Sequence, residues 1–172
     1  TYNEDGIRTS RTVNGIKTSY VVEGSRILSQ TRGTVTLVYI YDGYGELTGF
    51  RKGEESYYYL KNLQGDIVAV YNANGVRIAT YTYDAWGNVT TQLVSGSTSN
   101  ERILAVNNPF RYRGYYYDVD MGMYYLQSRY YDPVVGRFIN ADSYASTGQG
   151  ILGHNMFAYC GNNPVRREDN EG

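Results

Sequence analysis

A chain of 172 residues is long enough to bury a core, and 21 Tyr against 4 Phe and 1 Trp says what much of that core is made of. A formal net charge of −1 gives no general attraction for nucleic acid or an anionic membrane surface. One Cys excludes an internal disulfide, and no apolar run is long enough to span a bilayer as a helix.

Tyr buries a large ring yet needs a partner for its hydroxyl, which suits thin sheets with one wet face. Twenty Gly against three Pro point to many tight turns with positive φ. This composition predicts an all-β chain. The chain begins inside a repeat and without a signal peptide, so it reads as a piece of a longer protein whose export signal would lie elsewhere.

Residues 1–91 read as β-hairpin repeats. Gly6, Gly15, Gly24, Gly45, Gly65, Gly75 and Gly87 sit at turn signals, at the spacing of roughly nine to twelve residues expected of an antiparallel meander. Asn14-Gly15 is a strong hairpin signal because both residues tolerate positive φ. A unit of the form Tyr-Asp/Asn-x-x-Gly then becomes explicit at Tyr41-Asp42, Tyr71-Asn72 and Tyr83-Asp84, with a related turn at Asn62. Tyr ends one strand, Asp or Asn caps the turn, and Gly takes the left-handed position. In such a chain each unit buries its face only against its neighbours.

Residues 92–109 read as a polar connection, with a Ser-rich surface loop over residues 92–101. Residues 110–172 form a third segment, and its first part is unlike an ordinary core. Three tyrosine clusters, at Tyr115-Tyr116-Tyr117, Tyr124-Tyr125 and Tyr130-Tyr131, lie on β-prone stretches, with Asp118, Asp120, Asp132 and Asp142 between or after them. A loop with a short helical turn near Ile151 follows, then a short strand and a turn at Asn162-Asn163-Pro164.

With these residues in view, the chain resembles the C-terminal part of a rearrangement-hotspot (RHS) or YD-repeat protein. The repeats at Tyr41-Asp42 and Tyr83-Asp84 are similar to its tyrosine–aspartate repeats. Residues 110–118, 124–138 and 155–165 resemble the RHS-associated core domain, with Arg129-Tyr130-Tyr131-Asp132-Pro133, Gly136-Arg137-Phe138 and Asn162-Asn163-Pro164 the specific elements. The resemblance implies hairpins spiralling into part of a hollow shell, closed by the core domain. Its partners would be upstream YD repeats and a C-terminal toxin of the same polypeptide, outside the cell or on its surface.

It also implies an intramolecular aspartic protease that frees the toxin without a cofactor. The family's end motif, Pro-x-x-x-x-Asp-Pro-x-Gly, is matched at Pro164, Asp169 and Gly172, with Asn170 where Pro is usual and Arg166 where Asn is common. The scissile bond then lies beyond Gly172, and two readings stay open: a chain trimmed at the boundary, or a degenerate copy that does not cut.

Hydrolysis by two carboxylates needs one ionised and one protonated group around a shared water. The resemblance suggests Asp142 as one of them, with Asp120 or Asp118 as its partner and Arg137 to hold a carboxylate or polarise the carbonyl. Any single Asp here also reads simply as a turn cap, Asp132 before Pro133 above all. His154 and Cys160 carry no thiol-protease motif, no ligand cluster suggests a metal, and no loop has calcium-ligand spacing. A second class of function is a scaffold whose tyrosines recognise a cell-surface glycan or protein. An open repeat sheet would also expose its edges, so the chain would self-associate, pair with another chain or curl its edge under a loop.

Overall fold

The computed structural model describes residues 1–94, 98–126, 129–140, 157–165 and 167. The repeats are set by their turns. Asp42 Oδ1 accepts from the N–H groups of Tyr44 and Glu46, both at 2.9 Å. Asn62, Asn72 and Asp84 accept in the same way from the residues two and four positions on, at 2.8 to 3.0 Å. The glycine three positions after each has φ between 74° and 88°, where a Cβ would be strained. These turns are closed by local hydrogen bonds, so each hairpin carries its own register.

Strands β1 (Ser10–Val13), β2 (Ile16–Glu23), β3 (Arg26–Arg32), β4 (Val35–Tyr41), β5 (Leu47–Lys52), β6 (Glu55–Lys61), β7 (Ile67–Asn72), β8 (Arg77–Tyr83) and β9 (Val89–Leu93) form one antiparallel sheet in sequence order. The register slips at Ile40/Tyr41, Leu60/Lys61 and Val70/Tyr71, just before three of the Asx turns. Such bulges increase local twist. Tyr20, Leu37, Tyr39, Phe50, Tyr57, Val70 and Tyr81 are buried in one cluster, whereas Val21, Val38, Tyr58 and Leu60 stay exposed. In β8, Ala79 and Tyr81 are buried and Thr82 is exposed.

The stretch 92–109, expected as a polar loop, instead carries helix α1 (Ser99–Asn107). Thr98 and Glu101 form a reciprocal capping box: Glu101 N–H donates to Thr98 Oγ1 at 3.2 Å, and Thr98 N–H donates to Glu101 Oε2 at 2.9 Å. Leu104 and Ala105 pack on the sheet, and the Tyr81 hydroxyl donates to the Ala105 carbonyl. Arg111 closes the other end, donating to the carbonyls of Val106 at 2.6 Å and Asn108 at 2.8 Å.

The remainder is a second, smaller antiparallel sheet: β10 (Tyr116–Asp118), β11 (Met123–Leu126), β12 (Arg129–Asp132) and β13 (Arg137–Phe138). Its tyrosine doublets follow from the period of two in a strand. Tyr116 and Tyr125 join the core of the large sheet, with Tyr130 packed against it. Tyr124 and Tyr131 join a second core with Tyr112, Leu126, Phe138, Tyr159 and Cys160. In the short strand expected within residues 155–165, a single bridge pairs Ala158 with Arg137, and a 3₁₀ turn, Cys160–Asn162, follows. Ile151 lies outside the described residues. Among the described residues the fold is all-β apart from α1 and short 3₁₀ turns.

Candidate functional site

The small sheet touches both ends of the large one. At the far end, the Tyr131 and Tyr124 hydroxyls donate to the carbonyls of Trp86 at 2.7 Å and Gly87 at 2.8 Å, in the β8–β9 turn. Asn88 Nδ2 donates to the Pro133 carbonyl at 3.0 Å. At the near end, the contact is made by charges.

Asp118, at the end of β10, has no exposed surface. Its carboxylate meets Arg8 Nη1 at 3.2 Å and Arg11 Nη1 at 2.7 Å. Asp120, two residues on and partly exposed, meets Arg11 Nη2 at 2.9 Å and Arg32 Nη2 at 3.2 Å. The Arg11 fork therefore bridges two carboxylates, a geometry that guanidinium can satisfy and ammonium cannot. Arg8 is enclosed by Tyr125, Tyr20, Tyr116 and Tyr130, whose ring centroids lie 4.4, 5.0, 5.4 and 5.7 Å from its guanidinium carbon. Burial works against the Arg8 charge, and the facing phenols of Tyr20, Tyr130 and Tyr116 more than offset it, so its pKa ends above the ordinary value. Burial pushes the Tyr116 phenol well above its usual range. Beside Asp120 a cavity of about 560 Å³ opens between α1 and the β3–β4 turn, lined in part by Gln30, Leu37 and Leu104.

The fold thus brings Asp118 and Asp120 together through Arg11. Arg137 is exposed on β13, opposite Asp132 in the ladder. Asp132 Oδ1 accepts from Val134 N–H at 2.8 Å, the same turn-closing contact made by the repeats. Pro164 is buried, and its carbonyl accepts from Arg113 Nη2 at 2.7 Å. Asp142, His154, Arg166, Asp169, Asn170 and Gly172 lie outside the described residues. Cys160 is buried in the second aromatic core. Of the Tyr115–117 run, Tyr116 is buried against Tyr20 and Phe110, and Tyr115 and Tyr117 pack on Tyr124. No described helix is long and apolar enough to cross a membrane.

Arg8, Arg11 and Arg32 were not among the residues singled out from the sequence. The available signal was a pair of arginines interrupting an alternating strand, Ile7-Arg8-Thr9-Ser10-Arg11, just after a Tyr2-Asn3-x-x-Gly6 turn. An arginine pointing inward from a strand needs an acidic partner elsewhere in the chain.

A sequence model of the Teneurin YD-shell matches residues 22–165. The tRNA3(Ser)-specific nuclease WapA of Bacillus spizizenii is 37% identical over 99% of this chain and 7% of its own length. The tRNA(Glu)-specific nuclease WapA of Bacillus subtilis subsp. natto is 36% identical over the same shares. The chain therefore spans about 7% of the length of these relatives. A crystal structure of TcdB2-TccC3-TEV superimposes with a TM-score of 0.70 at 20% identity, over 99% of this chain and 9% of that one, and shows the same fold. The chain belongs to the Teneurin YD-shell family and is an RHS/YD-repeat protein.

Proposed function

We propose that this chain is the closing segment of a secreted shell that encloses a C-terminal effector of the same polypeptide, and that its core segment assists release of that effector by aspartate-dependent self-cleavage. The carrying observation is the way the small sheet fastens both ends of the repeat wall, through Arg8–Asp118 at one end and Tyr131–Trp86 at the other. A wall closed on itself can enclose a volume; an open meander cannot. Two relatives that share this segment at similar identity are named for nucleases of different tRNA specificity. That fits a constant shell joined to a variable effector.

For self-cleavage the proposed pair is Asp142 with Asp120. Asp118 is sealed between two arginines with no surface open to a water or a peptide, whereas Asp120 lines the cavity beside α1. One carboxylate would take a proton from the attacking water as that water bonds to the scissile carbonyl carbon. The other would give a proton to the departing amide nitrogen. Residues 1–91, 92–109 and 110–172 would then be wall, connection and core.

Intact-mass measurement on the protein with its native downstream sequence tests this. Wild type is expected to split shortly after Gly172, and Asp142→Asn to stay whole. If both stay whole while folded, the protease half of the reading fails and the segment is wall and plug alone.

A further inference from the structure

A contact away from the carboxylates joins the repeat wall to the start of the cleavage motif. Asp66, which follows the Asn62 turn, is buried, at 4% exposure. One of its oxygens accepts from Asn62 Nδ2 at 2.8 Å, and the other accepts from the Arg113 backbone N–H at 2.8 Å. Arg113 is held in the left-handed region, at φ 53°, and Gly114 follows at φ 69°. That conformation is uncommon for a residue with a Cβ and persists only where the surroundings fix it. Here the Arg113 side chain lines a cavity of about 390 Å³, where Nη2 donates to the Pro164 carbonyl at 2.7 Å.

The chain reaches that carbonyl along a fixed path. Phe138 N–H donates to the Phe157 carbonyl at 3.0 Å, and Tyr159 is fully buried, its ring 4.0 Å from that of Tyr131. Asn163 N–H returns to the Cys160 carbonyl at 3.1 Å. Pro164 is then buried, while the next residue, Val165, is 63% exposed. Beyond Pro164 the described tail is held only locally, by Arg167 N–H donating to the Asn163 carbonyl at 3.1 Å, so the Pro164 carbonyl is its last described hydrogen bond to the repeat-wall side of the fold.

We infer that Asp66 and Arg113 are positioning residues for the tail: they clamp the Pro164 carbonyl and so fix the point from which the chain runs on toward Asp169 and Gly172. The inference rests on the self-cleavage reading for its purpose, but the clamp itself is independent of it. A hydrogen bond from a guanidinium to a carbonyl is one of the stronger kinds available, and proline offers the acceptor without an N–H that would need a partner.

The test uses the protein with its native downstream sequence, as wild type and with Asp142→Asn, each combined with Arg113→Ala or Arg113→Lys. Trypsin cleavage after Arg167 reads tail release, intact mass reads self-cleavage, and amide exchange over β1–β9 reads the wall. Arg113→Ala should speed trypsin cleavage and slow self-cleavage, each by about tenfold or more, the size expected for loss of one charged hydrogen bond. Exchange in the wall should not change. Arg113→Lys should recover part of both effects, because an ammonium can donate to the same carbonyl. Unchanged trypsin and self-cleavage rates in Arg113→Ala would overturn the inference. So would faster exchange throughout β1–β9, which would make Arg113 a general structural residue. If wild type never self-cleaves but Arg113→Ala still frees the tail, the clamp stands and the protease reading falls.

Discussion

Arg8 and Asp118 are 110 positions apart in the chain and 3.2 Å apart in the fold. Both are almost completely buried, and the pair ties the stretch just ahead of β1 to the last residue of β10. Arg11 and Asp120 extend the contact outward, so the charges form a graded row from a sealed centre to a partly wet rim. Their value depends on position, since a buried charge that loses its partner is costly while an exposed pair contributes little.

Arg8→Met is therefore expected to destabilise the protein by about 3 kcal/mol in urea unfolding, at the lower end for a broken buried pair because Arg11 still meets Asp118. Arg32→Met, at the rim, should cost about 1 kcal/mol or less. Equal losses for the two variants would show that burial does not grade this network.

Two glycines with nearly equal φ separate turn strain from packing. Gly65 has φ 84° and nothing within 4 Å of where a Cβ would sit. Gly87 has φ 88°, but there a Cβ would come within 2.7 Å of the Tyr112 ring. Gly65→Ala should cost about 1 kcal/mol from backbone strain alone. Gly87→Ala should cost about 1 to 3 kcal/mol more, because it also pushes Tyr112 out of the second core. Thermal or urea unfolding of both variants decides it; equal losses would mean that the Tyr112 contact yields freely.

This difference shows where the sequence was legible. The Asx-x-x-Gly turns at Asp42, Asn62, Asn72 and Asp84 are closed by their own side chains, so a short window contains their whole cause. The tyrosine clusters likewise mark β-strands, but the expectation of one wet face missed that alternate rings cover both faces of the small sheet. Helix α1 was masked by its polar surroundings, although Thr98-Ser99-Asn100-Glu101 ahead of Ile103 and Leu104 is a capping-box pattern. The junction was not legible, because nothing near Asp118 says that its partners are Arg8 and Arg11. That long-range pairing is set by the docking of the small sheet against the large one. The Asp66–Arg113–Pro164 clamp has the same character: three residues from three segments, each unremarkable where it stands.

The buried phenols predict a sharp alkaline limit. Burial pushes Tyr81 and Tyr41 up to about 12, and Tyr116 and Tyr124 well above their ordinary value of 10.0. A raised folded-state pKa means that the native protein holds its phenolic protons more tightly than the unfolded chain does. The associated stability is complete below pH about 10 and is lost as pH rises through about 12. At the phenolate absorbance band, the buried phenols of Tyr41, Tyr81, Tyr116 and Tyr124 should appear only together with loss of β-sheet circular dichroism. Smooth titration of all the tyrosines in a still-folded protein would contradict the burial described for this core.

The sheet edge makes the last prediction. β9 is the terminal strand of the large sheet, paired with β8 on one side, and Thr90, Gln92 and Leu93 on it are exposed. A strand edge of this kind offers unpaired backbone groups to any strand that can align with it, and an inserted lysine blocks that addition by placing a charge where a partner strand would lie. The isolated chain should therefore associate with rising concentration in sedimentation velocity. Thr90→Lys should shift the distribution toward monomer while leaving thermal stability within about 0.5 kcal/mol, as expected of an exposed substitution. A wild-type chain that sediments as a single monomeric species at every concentration would mean that β9 is covered. Association that Thr90→Lys leaves untouched would place the contact on another surface, the exposed outer face of Val38, Tyr58 and Leu60 being the next to test.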